Sequence, residues 1–142
     1  MFKSNLKLST SYVSPLTLPK FVENEILPVF VIRFIKNSKL IGKYDRTAFH
    51  LKELSPSNEL FQEKRDGKID FLEFSKRFTI ELSNLNFDDE IKKLENLKEF
   101  FRAKSIVLLG YGSDPSKCHR SVLRDILNKS GLLEYPVHEL II

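Results

Sequence analysis

Two short runs constrain this chain most. PVFVIRFI, from Pro28 to Ile35, and SIVLLG, from Ser105 to Gly110, are apolar at nearly every position and rich in β-branched residues. A strand with one wet face alternates polar and apolar residues; these runs do not. Each is also too short for a buried helix. A strand covered on both faces explains them, and such strands belong to parallel sheets flanked by helices. The chain has 142 residues, enough for one core, so the expectation is a single compact α/β domain over residues 1–142 with a largely parallel sheet.

The stretches between fit that scheme. Leu6 to Tyr12 alternates weakly and reads as a first strand, KFVENEIL as a short helix, and Ala48 to Leu54 as a short strand. The period then changes from two to about 3.6. Ser55 and Ser57 are candidate N-caps for a helix through NELFQEKR, and Asp70 caps FLEFSKRFTIEL. Phe71, Phe74, Phe78 and Leu82 recur at helical spacing and form one apolar stripe. In DDEIKKLENLKEFFR the acidic start suits the helix dipole, and Ile91, Leu94, Leu97 and Phe101 mark a buried face. With twelve Phe and no Trp, Phe supplies the large core volume. YPVHELII reads as a last strand.

Chemistry concentrates in LLGYGSDPSKCHRSVLRDIL, Leu108 to Leu127. It reads as strand, glycine-rich turn and helix, with Asp114 as cap, Pro115 at the first helical position and Gly131 beyond the end. Ligands of parallel sheets gather at such strand-to-helix turns. Cys118, the only cysteine, and His119 are the candidate catalytic pair. On a continuous helix they face the sheet at the rim of the buried face, but adjacent residues diverge, so His138 on the last strand is the better base for Cys118. Arg120 turns toward the flank. The turn also suits an anion: free amides at a helix start, Ser113, Asp114 and Ser116 around them, and Arg33 and Arg120 to grip a phosphate or carboxylate. His138 completes this ligand-binding set. The order of residues is neither a Walker loop nor a dinucleotide fingerprint.

Charge widens the choice of partner only slightly. The net charge is +4, with acids and bases interspersed along the chain. An anionic small molecule is the favoured ligand. A nucleic-acid- or protein-binding module is the alternative, using the basic loop Lys36, Lys39, Lys43, Tyr44 and Arg46. No paired Cys/His spacing calls for a metal, and no motif calls for a cofactor. One cysteine makes no internal disulfide, the start lacks a signal-peptide core, and no run is long enough to span a membrane. The expected location is cytoplasmic.

Taken together, several motifs resemble the YeaO-like domain-of-unknown-function family. LKELSPSNELF, Leu51 to Phe61, resembles its LAPS segment and following helix. Glu73, Phe74, Arg77, Phe78, Glu81 and Leu82 match its EFxxRYxxEL, and Asp114, Pro115, Cys118, His119 and Arg120 match the DPxxCHR helix of its long-chain branch. Val137 and His138 match its closing strand, and Arg33 its strand arginine. The resemblance implies the α/β fold and a site at the DPxxCHR turn. Four positions depart from it. Val31 and Ile32 stand where the family has an aspartate, Gly110 where it has a cysteine, and Gly112 where it has a glutamate. A member that keeps the fold and has lost its chemistry is therefore a third reading.

Overall fold

The computed structural model describes residues 3–14, 17–32, 49–110, 112 and 114–140. In chain order the elements are β1 (Leu8–Tyr12), α1 (Thr17–Glu23), β2 (Ile26–Phe30), β3 (Phe49–His50), α2 (Asn58–Arg65), α3 (Phe71–Ser83), α4 (Phe87–Phe100), β4 (Ser105–Gly110), α5 (His119–Lys129) and β5 (His138–Glu139). Short 3₁₀ turns at Lys52–Leu54 and Pro115–Lys117 precede α2 and α5. The five strands lie in the order β3-β2-β4-β1-β5, all parallel. No helix among the described residues is long and apolar enough to cross a membrane.

The unbroken apolar runs are explained by two cores, one on each face. Along β4, Ile106 and Leu108 enter a core with Phe74, Phe78 and Leu82 of α3, Leu94 of α4 and Leu123 of α5. Val107 and Leu109 enter the other, with Leu18 and Phe21 of α1. Burying a Leu or Phe side chain contributes about 1.5–3 kcal/mol, so β4, buried on both sides, anchors the sheet.

Local chemistry starts and stops the helices. Ser57 caps α2, its hydroxyl accepting from Leu60 N–H, and Asp70 caps α3 by accepting from Glu73 N–H. Gly131, at φ 73°, follows α5 in the left-handed region that a residue without Cβ enters freely. The resembling motif in α3 is largely structural: Arg77 pairs with Glu63 of α2, and Glu81 accepts from Ser57 N–H and Oγ–H.

Several elements are shorter or shifted. β2 begins at Ile26 and ends at Phe30 rather than running from Pro28 to Ile35, because residues 26–30 pair with Ser105–Leu109 of β4. Among the described residues only Phe49–His50 and His138–Glu139 remain of the two edge strands, each held by one neighbour. Ser55 ends the first 3₁₀ turn, its hydroxyl donating to Lys52 O, instead of capping α2. Phe101 caps the end of α4 half-exposed against Phe49, outside the buried face.

The strand order positions a crevice. From β2 the chain goes on to β3 at one edge; from β4 it passes β1 to reach β5 at the other. Connections that diverge from adjacent strands leave a gap at their carboxyl ends, where open α/β sheets bind ligands. Here that switch point falls at the ends of β2 and β4, beside Val31 and Gly110.

Candidate functional site

The expected helix from Pro115 is broken. Pro115–Lys117 forms a 3₁₀ turn, and α5 starts at His119 with Cys118 as its N-cap, in an extended conformation at φ −115°, ψ 143°. Asp114 caps the 3₁₀ turn instead, accepting from Ser116 N–H (3.0 Å) and Ser116 Oγ–H (2.7 Å). These bonds hold the exposed Asp114 carboxyl below its ordinary range. Ser116 is exposed beside it.

The break corrects the expectation that Cys118 and His119 diverge. That divergence is expected of two consecutive helical residues. With Cys118 extended, its Sγ lies 3.8 Å from His119 Nδ1. The other ring nitrogen, Nε2, bonds Val31 O. That carbonyl belongs to the residue just past the end of β2, whose N–H donates to Leu109 O of β4. A carbonyl only accepts, so Nε2 carries a proton and Nδ1 is free to take the thiol proton. Phe78 meets the imidazole edge to face at 5.9 Å and fixes the ring plane.

Burial pushes the Cys118 thiol up. It is outweighed by the His119 imidazolium, through contact and charge, by the Arg120 backbone N–H, and by the Arg120 guanidinium. The result is a thiol lowered from 9.0 to about 6.

Gly110 makes room for it. A Cβ on Gly110 would come within 2.6 Å of Cys118 Sγ. The sulfur occupies the space that any side chain at position 110 would need.

Arg120 does not turn to the flank. It is fully buried. Its Nε donates to Glu139 Oε1 (3.1 Å) and its Nη2 to Glu139 Oε2 (2.9 Å), while Nη1 donates to Gly112 O. Thr10 Oγ–H donates to Glu139 Oε1 at 2.7 Å. The reason is the later start of α5, which rotates Arg120 over the end of the sheet, where β5 presents Glu139. With these donors committed, Arg120 is built into the wall and tethers the turn over Cys118.

His138 stands on the other side. Neighbours in a strand point to opposite faces; Glu139 faces Arg120, and His138 is exposed. The assignment of His138 as base or ligand residue is therefore replaced by His119 as the group beside the thiol. Arg33, Ser113 and the basic loop residues Lys36, Lys39, Lys43, Tyr44 and Arg46 lie outside the described residues. No cluster of metal-ligating side chains occurs among the described ones.

Three contributors were not singled out from the sequence. Glu139 looks like any strand-edge acid, and the Val31 carbonyl carries no side-chain signal at all. The third, Lys64 at the end of α2, donates from Nζ to Lys117 O at 3.3 Å. Its spacing within NELFQEKR gives no hint of a partner 53 residues away.

No curated protein and no solved structure matches the chain. A family model does, over residues 22–131, and it is described as the active DUF488-N3 subclade. That span covers most of the chain, from α1 through α5, and includes the Cys118–His119–Arg120 turn. The chain belongs to the DUF488-N3a family.

Proposed function

We propose that this chain is a thiol-dependent enzyme in which Cys118 attacks an electrophilic small molecule at the carboxyl end of the sheet. One observation carries the reading: Cys118 Sγ lies 3.8 Å from a ring nitrogen of His119 whose opposite nitrogen is tied to Val31 O. A nucleophile, a base beside it and a third group orienting the base are the parts covalent catalysis needs. His119 takes the thiol proton, and the thiolate supplies the electron pair for the new bond to sulfur. The resulting imidazolium then holds the proton that a leaving group requires. The family's description as an active subclade is in keeping with this.

The anion-site expectation changes under this reading. The helix start serves the thiolate, and Arg120 serves Glu139, so neither is open to an added phosphate. Thiolate chemistry needs none of the acids missing at Val31, Ile32 and Gly112.

Alkylation of Cys118 against pH tests it, since the protein has a single thiol. The expected midpoint is about 6. In His119→Asn the burial cost remains while the imidazolium is gone, so the midpoint should climb to the ordinary thiol value of about 8.5 or beyond. A folded wild-type protein that reacts only after denaturation would sink the proposal.

A further inference from the structure

Lys64 is a cation beside the thiolate that the Cys118–His119 pair does not use. It sits in the last turn of α2, half-buried, with its ammonium 4.6 Å from the centroid of Phe74 and 5.3 Å from that of Phe71. Its bond to Lys117 O joins α2 to the residue immediately before Cys118. Burial lowers its pKa, and the charge of Cys118 works in the opposite direction, so Lys64 lies within the field of Cys118. Arg120 is neutralised by Glu139. Lys64 has no carboxylate partner among the described residues. An ammonium has three N–H donors, and one of these is committed.

A groove of about 480 Å³ lies next to this region, between α3 and α5. Phe71, the ring under Lys64, forms one wall with Ser75. Ser121 and Arg124 form the other, and Ser116 stands at the turn that leads to Cys118. Arg124 has no ion pair among the described residues. The groove is mixed in character: Asp125, Val122 and Ile126 line it with Arg124 and Lys129, and it comes nearest the Cys118 turn at Ser116.

We propose that Lys64 recognises a negative charge on the substrate, so that the electrophile taken by Cys118 is a small carboxylate- or phosphate-bearing molecule. This rests on Cys118 being the nucleophile. The two free ammonium donors meet the anionic group, and the rings of Phe71 and Phe74 keep the ammonium in place through cation–π contact.

Two alkylating reagents of the same chemistry and different charge test this: iodoacetate and iodoacetamide. In both, the Cys118 thiolate gives its electron pair to the methylene carbon. An S–C bond forms, the C–I bond breaks, and iodide leaves with its electron pair. Rates are measured above the Cys118 midpoint in wild type, Lys64→Met and Lys64→Arg. Relative to the unfolded chain, the folded wild type should favour iodoacetate on the order of tenfold, as expected for one charge at short range in a partly buried site. Lys64→Met, which keeps an apolar stem over the rings, should lose that preference; Lys64→Arg should keep it. Inorganic phosphate should slow iodoacetate in the wild type and not in Lys64→Met. An iodoacetate-to-iodoacetamide ratio equal in wild type and Lys64→Met overturns the role of Lys64 and leaves the nucleophile standing. If neither reagent reacts with the folded protein, the nucleophile is wrong, and this inference falls with it.

Discussion

At the residue scale the site depends on an absent side chain. Gly110 closes β4 where the Cys118 sulfur must lie, and a single added carbon would sit 2.6 Å from it. The next atoms it would meet are Arg120 Nη1 and His119 Cε1, each at 3.6 Å, and both side chains are held by hydrogen bonds. Gly110→Ala should therefore destabilise the fold by about 1–3 kcal/mol, as overpacking does, and push the sulfur away from His119. Urea denaturation reads the first effect. The pH midpoint of Cys118 alkylation reads the second, as a rise from about 6. A variant with unchanged midpoint and unchanged stability would show that the sulfur does not occupy this space. The cysteine and its neighbouring histidine were legible from the sequence as a constellation. Their geometry was not, because whether adjacent side chains meet depends on backbone angles, and Cys118 leaves the helical region by one residue.

At the scale of elements, the junction of α5 with β5 holds the turn. The Arg120–Glu139 pair links the first turn of α5 to the edge strand, and Thr10 extends the link to β1. β5 contributes only two ladder residues, so backbone pairing alone holds it weakly. Truncating the carboxylate strands a fully buried guanidinium. Glu139→Ala should cost about 3 kcal/mol or more, measured by denaturant titration, whereas His138→Ala, on the exposed face, should stay within about 0.5 kcal/mol of wild type. Equal effects at the two positions would mean that the assigned faces of β5 are wrong. The helical stripes themselves were readable: Phe74, Phe78 and Leu82 are buried at the predicted spacing, since that spacing is a property of the helix alone. The strand ends were not, because a strand stops where its partner stops.

For the whole molecule, the thiolate couples the site to stability. The Cys118 pKa is about 6 in the folded chain against an ordinary 9.0. Between those values the unfolded chain holds the thiol proton that folded Cys118 has given up, and the share of it that leaves the protein instead of staying on His119 makes stability rise with pH. The contribution is full above the unfolded value and lost as pH falls through about 6. Complete release would correspond to at most on the order of 4 kcal/mol. The stability gap between wild type and Cys118→Ser should widen from pH 6 toward pH 9 where the proton leaves the pair and stay flat where His119 keeps it; a gap that narrows across this window would refute a native thiolate.

What the sequence by itself determined is the part that depends on neighbours in the chain. Unbroken apolar runs required strands covered on both faces, the 3.6-residue stripes required helices to cover them, and Asp-Pro after a glycine-rich turn located the site at one strand end. The tertiary structure decided which groups meet there. Val31, Lys64, Gly112, His119 and Glu139 come from separate segments, brought together by the strand order β3-β2-β4-β1-β5. That order rests on long-range pairing and on packing against two cores, and no local pattern encodes it. The same residue types in another strand order would leave Arg120 free and His119 without its carbonyl.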